Sequence, residues 1–176
     1  VHPLDPTTEI GPLIHERHLA KVCSYFDVAR KDGAAIAVGG APHEGPGGGH
    51  YVQPTLVTGA TRHMRVAHKE VFGPFLTVLT FANDEEALAI ANSTEYALGG
   101  GLWTRDISRA HRFAREMHSG MIWINTYKRA HPASPFGGFG QSGYGRDMGF
   151  EAMHEYTQVK SVWVNVDAPS PPWYRR

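Results

Sequence analysis

Apolar residues at Leu19, Val22, Cys23 and Phe26 recur at the spacing that puts them on one face of a helix. The spacing predicts an amphipathic helix over residues 13–31, with Gly33 placed to end it. A short apolar run at 34–38 reads as a strand, and the Gly/Pro-rich stretch 39–50 as a surface loop. Residues 51–58 and 75–81 read as strands, the second almost wholly β-branched or aromatic. Asn83 followed three residues later by Glu86 has the form of a capping box and predicts a helix to about residue 92. A strand at 101–104 follows. Asp106 then caps a helix carrying Ile107, Ala110, Ala114 and Met117 on one face, stopped at Gly120. The continuous apolar run at 121–125 has the pattern of a strand buried on both sides. A Pro/Gly/aromatic loop occupies 132–149, and a short helix and a last strand near 159–166 complete the pattern.

Strands alternating with helices predict an α/β fold, a largely parallel sheet with flanking helices. The last strand breaks that rhythm, since no helix follows it and Pro169, Pro171 and Pro172 cannot continue a ladder. A strand projecting from the end of an α/β body is a candidate for pairing with another chain. No internal repeat and no long linker divide the chain.

Composition narrows the function classes. The 176 residues hold 17 Lys plus Arg against 17 Asp plus Glu, which argues against nucleic acid or an anionic membrane surface as partner. No apolar run reaches the ~18 residues that would span a membrane. The single cysteine, Cys23, cannot form an internal disulfide. The chain opens at Val1 without signal or transit peptide, an expectation of a cytoplasmic protein, and without Met, an expectation of an excised piece or processed product.

Candidate chemistry is sparse. Cys23 lies on the apolar helical stripe, where a free thiol behaves as a small hydrophobe rather than a nucleophile. His15 and His18 stand three apart, one short of a zinc-protease spacing, and His111 and His118 are two helical turns apart. No cysteine or aspartate cluster completes a tetrahedral set, so solvated histidines are the reading. Residues 138–143 match GxGxxG in letters, but a Pro-rich loop precedes them and no acidic residue follows at the required distance. They read as tight-turn glycines. Motif chemistry alone describes an α/β domain without a self-contained active site.

A series of motifs adds a resemblance. Pro3-Leu4-Asp5-Pro6 with Gly11-Pro12-Leu13 opens it, then Tyr51, Pro54-Thr55-Leu56 and Glu70-Val71-Phe72-Gly73-Pro74. Trp103-Thr104-Arg105-Asp106, Gly120, Trp123-Ile124-Asn125 and Ser134-Pro135-Phe136-Gly137-Gly138 follow. Ser142-Gly143, Gly145-Arg146, Glu155-Tyr156-Thr157 and Lys160 close it. In this order the chain resembles the C-terminal portion of the NAD(P)-dependent aldehyde dehydrogenase superfamily. The resemblance implies a catalytic-domain part over 1–155 and an oligomerisation strand with a Pro-rich tail over 156–176.

It further implies a parent enzyme oxidising an aldehyde to a carboxylic acid with NAD or NADP. A cysteine thiolate attacks the aldehyde, hydride leaves for the nicotinamide, and water hydrolyses the thioester. The nucleophile, the general-base Glu and the oxyanion-stabilising Asn are expected upstream of this chain, which alone is expected to be inactive. Glu70 matches the residue that holds the nicotinamide ribose hydroxyls, and Phe72 the aromatic beside that ribose. Phe136 matches an aromatic of the substrate tunnel, facing the same cleft. The alternatives are a solvated charge for Glu70 and a core aromatic for Phe136. Residues 125–133 match the loop at the tunnel mouth, where Lys128, Arg129 and His131 read first as a solvated basic loop and, as the sharper hypothesis, suggest an anionic aldehyde. The last strand matches the family's oligomerisation strand, implying a dimer or tetramer. Beside the enzyme stands a second reading, a non-enzymatic oligomerising module of the same fold. An unrelated hydrolase or metalloprotein would need a nucleophile–base pair or ligand cluster that the sequence lacks.

Overall fold

The structure, a computed structural model, describes residues 2–166. Its first helix, α1 (Glu16–Lys31), starts where the His15 side chain accepts a hydrogen bond from the His18 backbone N–H and buries Val22, Phe26 and Ala29. Gly33 takes φ +90° just beyond it, a left-handed turn that reverses the chain into β1 (Ala35–Val38). The helix starts three residues later than the expected residue 13, because the His15 cap fixes the first turn.

The predicted strand over 51–58 is two strands in two sheets. β2 (Pro42–His43) pairs antiparallel with β3 (Tyr51–Val52), and β4 (Thr55–Thr58) pairs antiparallel with β1. Pro54 stands at the break, without the N–H that a continuous ladder needs. A one-turn helix, α2 (Arg65–His68), was not foreseen, since four residues are too few to show a period. β5 (Phe75–Thr77) then runs parallel to β4. Two apolar clusters bind this half: Val22, Phe26, Val52 and Val71, and Ala29, Ala34, Val57 and Val66. Burying an aromatic such as Phe26 contributes about 1.5–3 kcal/mol.

In the second half, α3 (Asp84–Ala91) carries the expected cap, Asn83 Oδ1 accepting from the Glu86 N–H at 2.9 Å. The Glu86 carboxylate reaches back to the Ala82 N–H at 2.7 Å, one residue earlier than a capping box requires. β6 (Tyr96–Ala97) and β7 (Gly99–Leu102) follow, then α4 (Ile107–Glu116), capped by Asp106. Asp84 binds Arg109 and Arg112 and so ties α3 to α4. β8 (Met121–Ile124) lies parallel to β7 in register Gly99↔Met121 to Leu102↔Ile124 and is half-buried, not buried on both sides. β9 (Phe139–Gly140) pairs antiparallel with β6, and a 3₁₀ segment spans Glu151–Tyr156.

Two of the expected features are corrected. Among the described residues the strands form four small sheets, with parallel pairing at β4–β5 and β7–β8 and antiparallel pairing elsewhere, not one largely parallel sheet. Short Gly/Pro-bounded strands carry too few ladder bonds to extend a common sheet. Residues 159–166 form no ladder with any described residue. A strand exists through its neighbour, and none of the described strands runs beside this one. The prolines expected to end it, Pro169, Pro171 and Pro172, lie outside the described residues. No helix among the described residues is long and apolar enough to cross a membrane.

Candidate functional site

The sequence places its candidate residues in two loops, and the fold anchors each loop firmly. The first, residues 69–74, lies on the face of α1 formed by His18, Lys21 and Val22. His18 Nε2 is 2.6 Å from the Phe72 carbonyl oxygen, and Lys21 Nζ donates to the Glu70 carbonyl at 3.2 Å. Between those carbonyls Val71 is buried against Val22 and Phe26. Gly73 sits so close to Val22 that a Cβ there would meet its Cγ2 at 2.8 Å. Lys69 closes the loop's other end with an ion pair to Glu95 at 3.1 Å, which holds the Lys69 ammonium above its usual pKa. With the backbone pinned, Glu70 and Phe72 face outward: Phe72 is 67% exposed and the Glu70 carboxylate bonds to no described residue.

The second loop follows β8. Asn125 clamps its base, Oδ1 accepting from the Thr104 N–H and Nδ2 donating to the Thr104 carbonyl, both at 2.9 Å. The Trp123 indole N–H donates to the Arg129 carbonyl at 2.8 Å, and the Trp123 and Tyr127 rings meet edge-on at 5.2 Å. Phe136 and Asp147 exchange two backbone hydrogen bonds of 2.6 and 2.8 Å. These ties enclose a hollow of about 250 Å³ whose walls include Gly120, Trp123, Arg129, His131, Phe136 and Met148.

The structure therefore brings Phe136 and Arg129 together. Lys128 does not join them; its ammonium lies over the Tyr127 ring, 5.9 Å from the centroid. Glu70 and Phe72 line no part of the Phe136 hollow. Phe72 borders a separate, open depression with Ile14, His15, Arg17, His18 and Lys21. The single cleft expected to hold Glu70 and Phe136 is not enclosed by the described residues.

Backbone strain marks both loops. Among the described residues four non-glycines have positive φ: Phe72 (60°), Asn125 (55°), Lys128 (55°) and Met148 (59°). This conformation costs roughly 1–2 kcal/mol for an L-residue, and such strain concentrates at functional sites. Phe72 lies in the 69–74 loop, Asn125 and Lys128 in the loop after β8, and Met148 lines the Phe136 hollow. Elsewhere the chemistry is quiet. Cys23 packs against the Val22–Phe26 cluster, and burial pushes its thiol pKa up, away from the reactive thiolate. No group of three or more His, Cys, Asp or Glu suited to a metal occurs among the described residues.

Residues 1–162 match the aldehyde dehydrogenase family. The chain belongs to that family.

Among curated relatives, a betaine aldehyde dehydrogenase of Mesorhizobium japonicum is 44% identical over 173 residues, 97% of this chain and 36% of its own. Among solved structures, PnpE from Pseudomonas sp. WBC-3 superposes with TM-score 0.89 at 55% identity, over 99% of this chain and 36% of PnpE. It is also known in complex with nicotinamide adenine dinucleotide. The indole-3-acetaldehyde dehydrogenase AldA of P. syringae, solved with NAD⁺, gives TM-score 0.89 at 43% identity, over 93% of this chain and 33% of AldA. The chain thus spans about a third of the length of the family members it matches.

Sequence reasoning named His18 as a solvated histidine and Asn125 as a motif residue but missed that they hold the loops, and it missed Met148 altogether. His18 meets Phe72 across 54 positions, a contact no local period carries. Asn125 had a usable signal, since Asn is the non-glycine residue readiest to adopt positive φ after a strand. Met148 had none.

Proposed function

We propose that this chain is the C-terminal portion of an NAD(P)-dependent aldehyde dehydrogenase that oxidises an aldehyde to a carboxylic acid. Residues 1–155 form part of the catalytic domain, and 156–176 supply the strand through which subunits associate as a dimer or tetramer. Polypeptide outside the chain supplies the reactive thiol, the general base and most of the cofactor site. The observation that carries this reading is that three of the four positive-φ non-glycine residues, Phe72, Asn125 and Lys128, fall in the two loops named from family motifs, while the fourth, Met148, lines the Phe136 hollow.

The residues present fit a nicotinamide ribose. The Glu70 carboxylate, which bonds to no described residue, can accept hydrogen bonds from two neighbouring hydroxyls, and the exposed ring of Phe72 offers an apolar face beside them. When bound, the nicotinamide supplies the hydride acceptor. Glu70 holds the ribose, and so fixes where the ring can lie relative to the substrate, where small misplacement costs much rate. Phe136 forms an apolar wall for the substrate, and Arg129 lends positive charge to the same hollow, favouring an aldehyde that bears a carboxylate. The cleft shared by the two loops is completed by the polypeptide outside this chain.

The test has two arms. Purified 176-residue chain mixed with NAD and an aldehyde should give no rise in NADH absorbance, and robust turnover would overturn the division of labour. In the full-length enzyme Glu70→Gln should raise the KM for NAD and lower kcat, and unchanged kinetics would remove the ribose role.

A further inference from the structure

The 69–74 loop combines a costly backbone with an unusual anchorage. Phe72, a bulky aromatic, sits at φ 60°, and no backbone partner holds its carbonyl. That carbonyl is met instead by the His18 ring, at 2.6 Å and 54 positions away in sequence. A carbonyl oxygen can only accept, so His18 Nε2 must carry hydrogen. The ring is itself fixed on both sides. His15, whose Nδ1 accepts from the His18 N–H at 3.0 Å, places its ring 6.1 Å away, and the Phe72 ring lies 5.8 Å away at 31°. Lys21, one helical turn on, takes the Glu70 carbonyl. Two side chains three apart on α1 therefore grip two carbonyls two apart in the loop, with Val71 pressed into the core between them.

We propose that His18 is a positioning residue for the cofactor loop: by donating from Nε2 to the Phe72 carbonyl it holds Phe72 in its left-handed conformation and so aims both the ring and the neighbouring Glu70 carboxylate. The proposal rests on the ribose role given to Glu70 and Phe72 above. A side-chain amide can supply the same N–H; an aliphatic side chain of similar size cannot.

Two measurements test it. In the ¹⁵N-labelled 176-residue chain, long-range ¹H–¹⁵N spectra above neutral pH should show His18 as the Nε2–H tautomer; the Nδ1–H tautomer overturns the proposal without any substitution. In the full-length enzyme, NAD affinity read by quenching of protein fluorescence should weaken roughly three- to tenfold in His18→Leu, the worth of one neutral hydrogen bond, and return to near wild type in His18→Gln. The KM for NAD should follow it, with kcat for saturating NAD changed less. His18→Gln as impaired as His18→Leu overturns the donor role. His18→Leu without effect, while Glu70→Gln weakens NAD binding, overturns the positioning role alone. Silence of both variants removes the ribose reading and the positioning role with it.

Discussion

Gly120 opens β8 at the floor of the Phe136 hollow, and its backbone passes against residues 137–138. A Cβ on Gly120 would lie 2.8 Å from the Gly137 carbonyl carbon and 3.0 Å from the Gly138 Cα, and inside the contact shell of the Gly137 oxygen. Ordinary carbon contacts begin near 3.5 Å, so Gly120→Ala forces the two backbones apart by about 0.7 Å or more. Neither side can give easily. Gly120 N–H bonds to the Ala97 carbonyl at 3.0 Å, and the Gly138 carbonyl accepts from Arg146 at 2.8 Å. Overpacking of this kind costs about 1–3 kcal/mol, which for a chain of this size lowers the melting temperature by roughly 3–9 °C. Gly120 has no positive φ, so backbone strain does not enter. Gly11→Ala is the matched control, since its Cβ would meet nothing within 4 Å. Urea and thermal unfolding of both variants, followed by circular dichroism, decide the matter. If Gly120→Ala unfolds within experimental error of Gly11→Ala, the close passage at the floor of the hollow is refuted.

Asp32 gives an acid-side prediction. Its carboxylate accepts from the Arg65 side chain at 3.1 Å and from the Arg65 backbone N–H at 3.2 Å, which holds its pKa below the ordinary range. A lowered folded pKa means stability present above the unfolded pKa and lost as pH falls through the folded one, at and below about pH 4. Asp32→Asn should therefore be less stable than wild type at pH 7, and the two urea midpoints should converge near pH 2–3; a constant gap would reject the assignment. For the basic loop, Arg129→Ala in the full-length enzyme should reduce the preference for anionic over neutral aldehydes. Lys128→Ala, whose ammonium is engaged with Tyr127, should change it less. Equal effects, or none, would remove the selective role of Arg129.

What the sequence made legible was whatever local chemistry decides alone. The Val22–Phe26 stripe, the Asn83 and Asp106 caps and the turn at Gly33 depend on residues within one or two helical turns, and each stands where the pattern put it. The β-architecture was not legible in the same way. Ladder partners such as Tyr96↔Gly140 lie 44 positions apart and two residues long, so no periodicity announces them. The candidate site was legible in its residues but not in its supports. Motifs named Glu70, Phe72, Phe136, Lys128 and Arg129, and also Trp123 and Asn125, but not what the last two bind; they and His18, which no motif named, hold those loops through backbone carbonyls and N–H groups.

Residues 159–166 are a third kind of case, in which a strand-like apolar pattern forms no ladder among the described residues. Val162, Val164 and Val166 alternate with Trp163 and Asn165, the period of a strand with one apolar face. Yet Val159 is 98% exposed, Trp163 89% and Val164 76%. Tyr156 just before them is exposed as well. Contiguous exposed apolar surface of this kind marks a contact face. Burying four such side chains would contribute several kcal/mol at about 1.5–3 kcal/mol each, a gain the described part of the chain forgoes. The same holds for Phe72, Tyr144 and Phe150, exposed around the two candidate loops. Large apolar side chains thus stand outward at the very places proposed to meet the cofactor, the substrate and a neighbouring subunit. On the proposed reading these faces meet polypeptide outside this chain, whereas α1, with its buried stripe and its hold on Phe72, is packed within it.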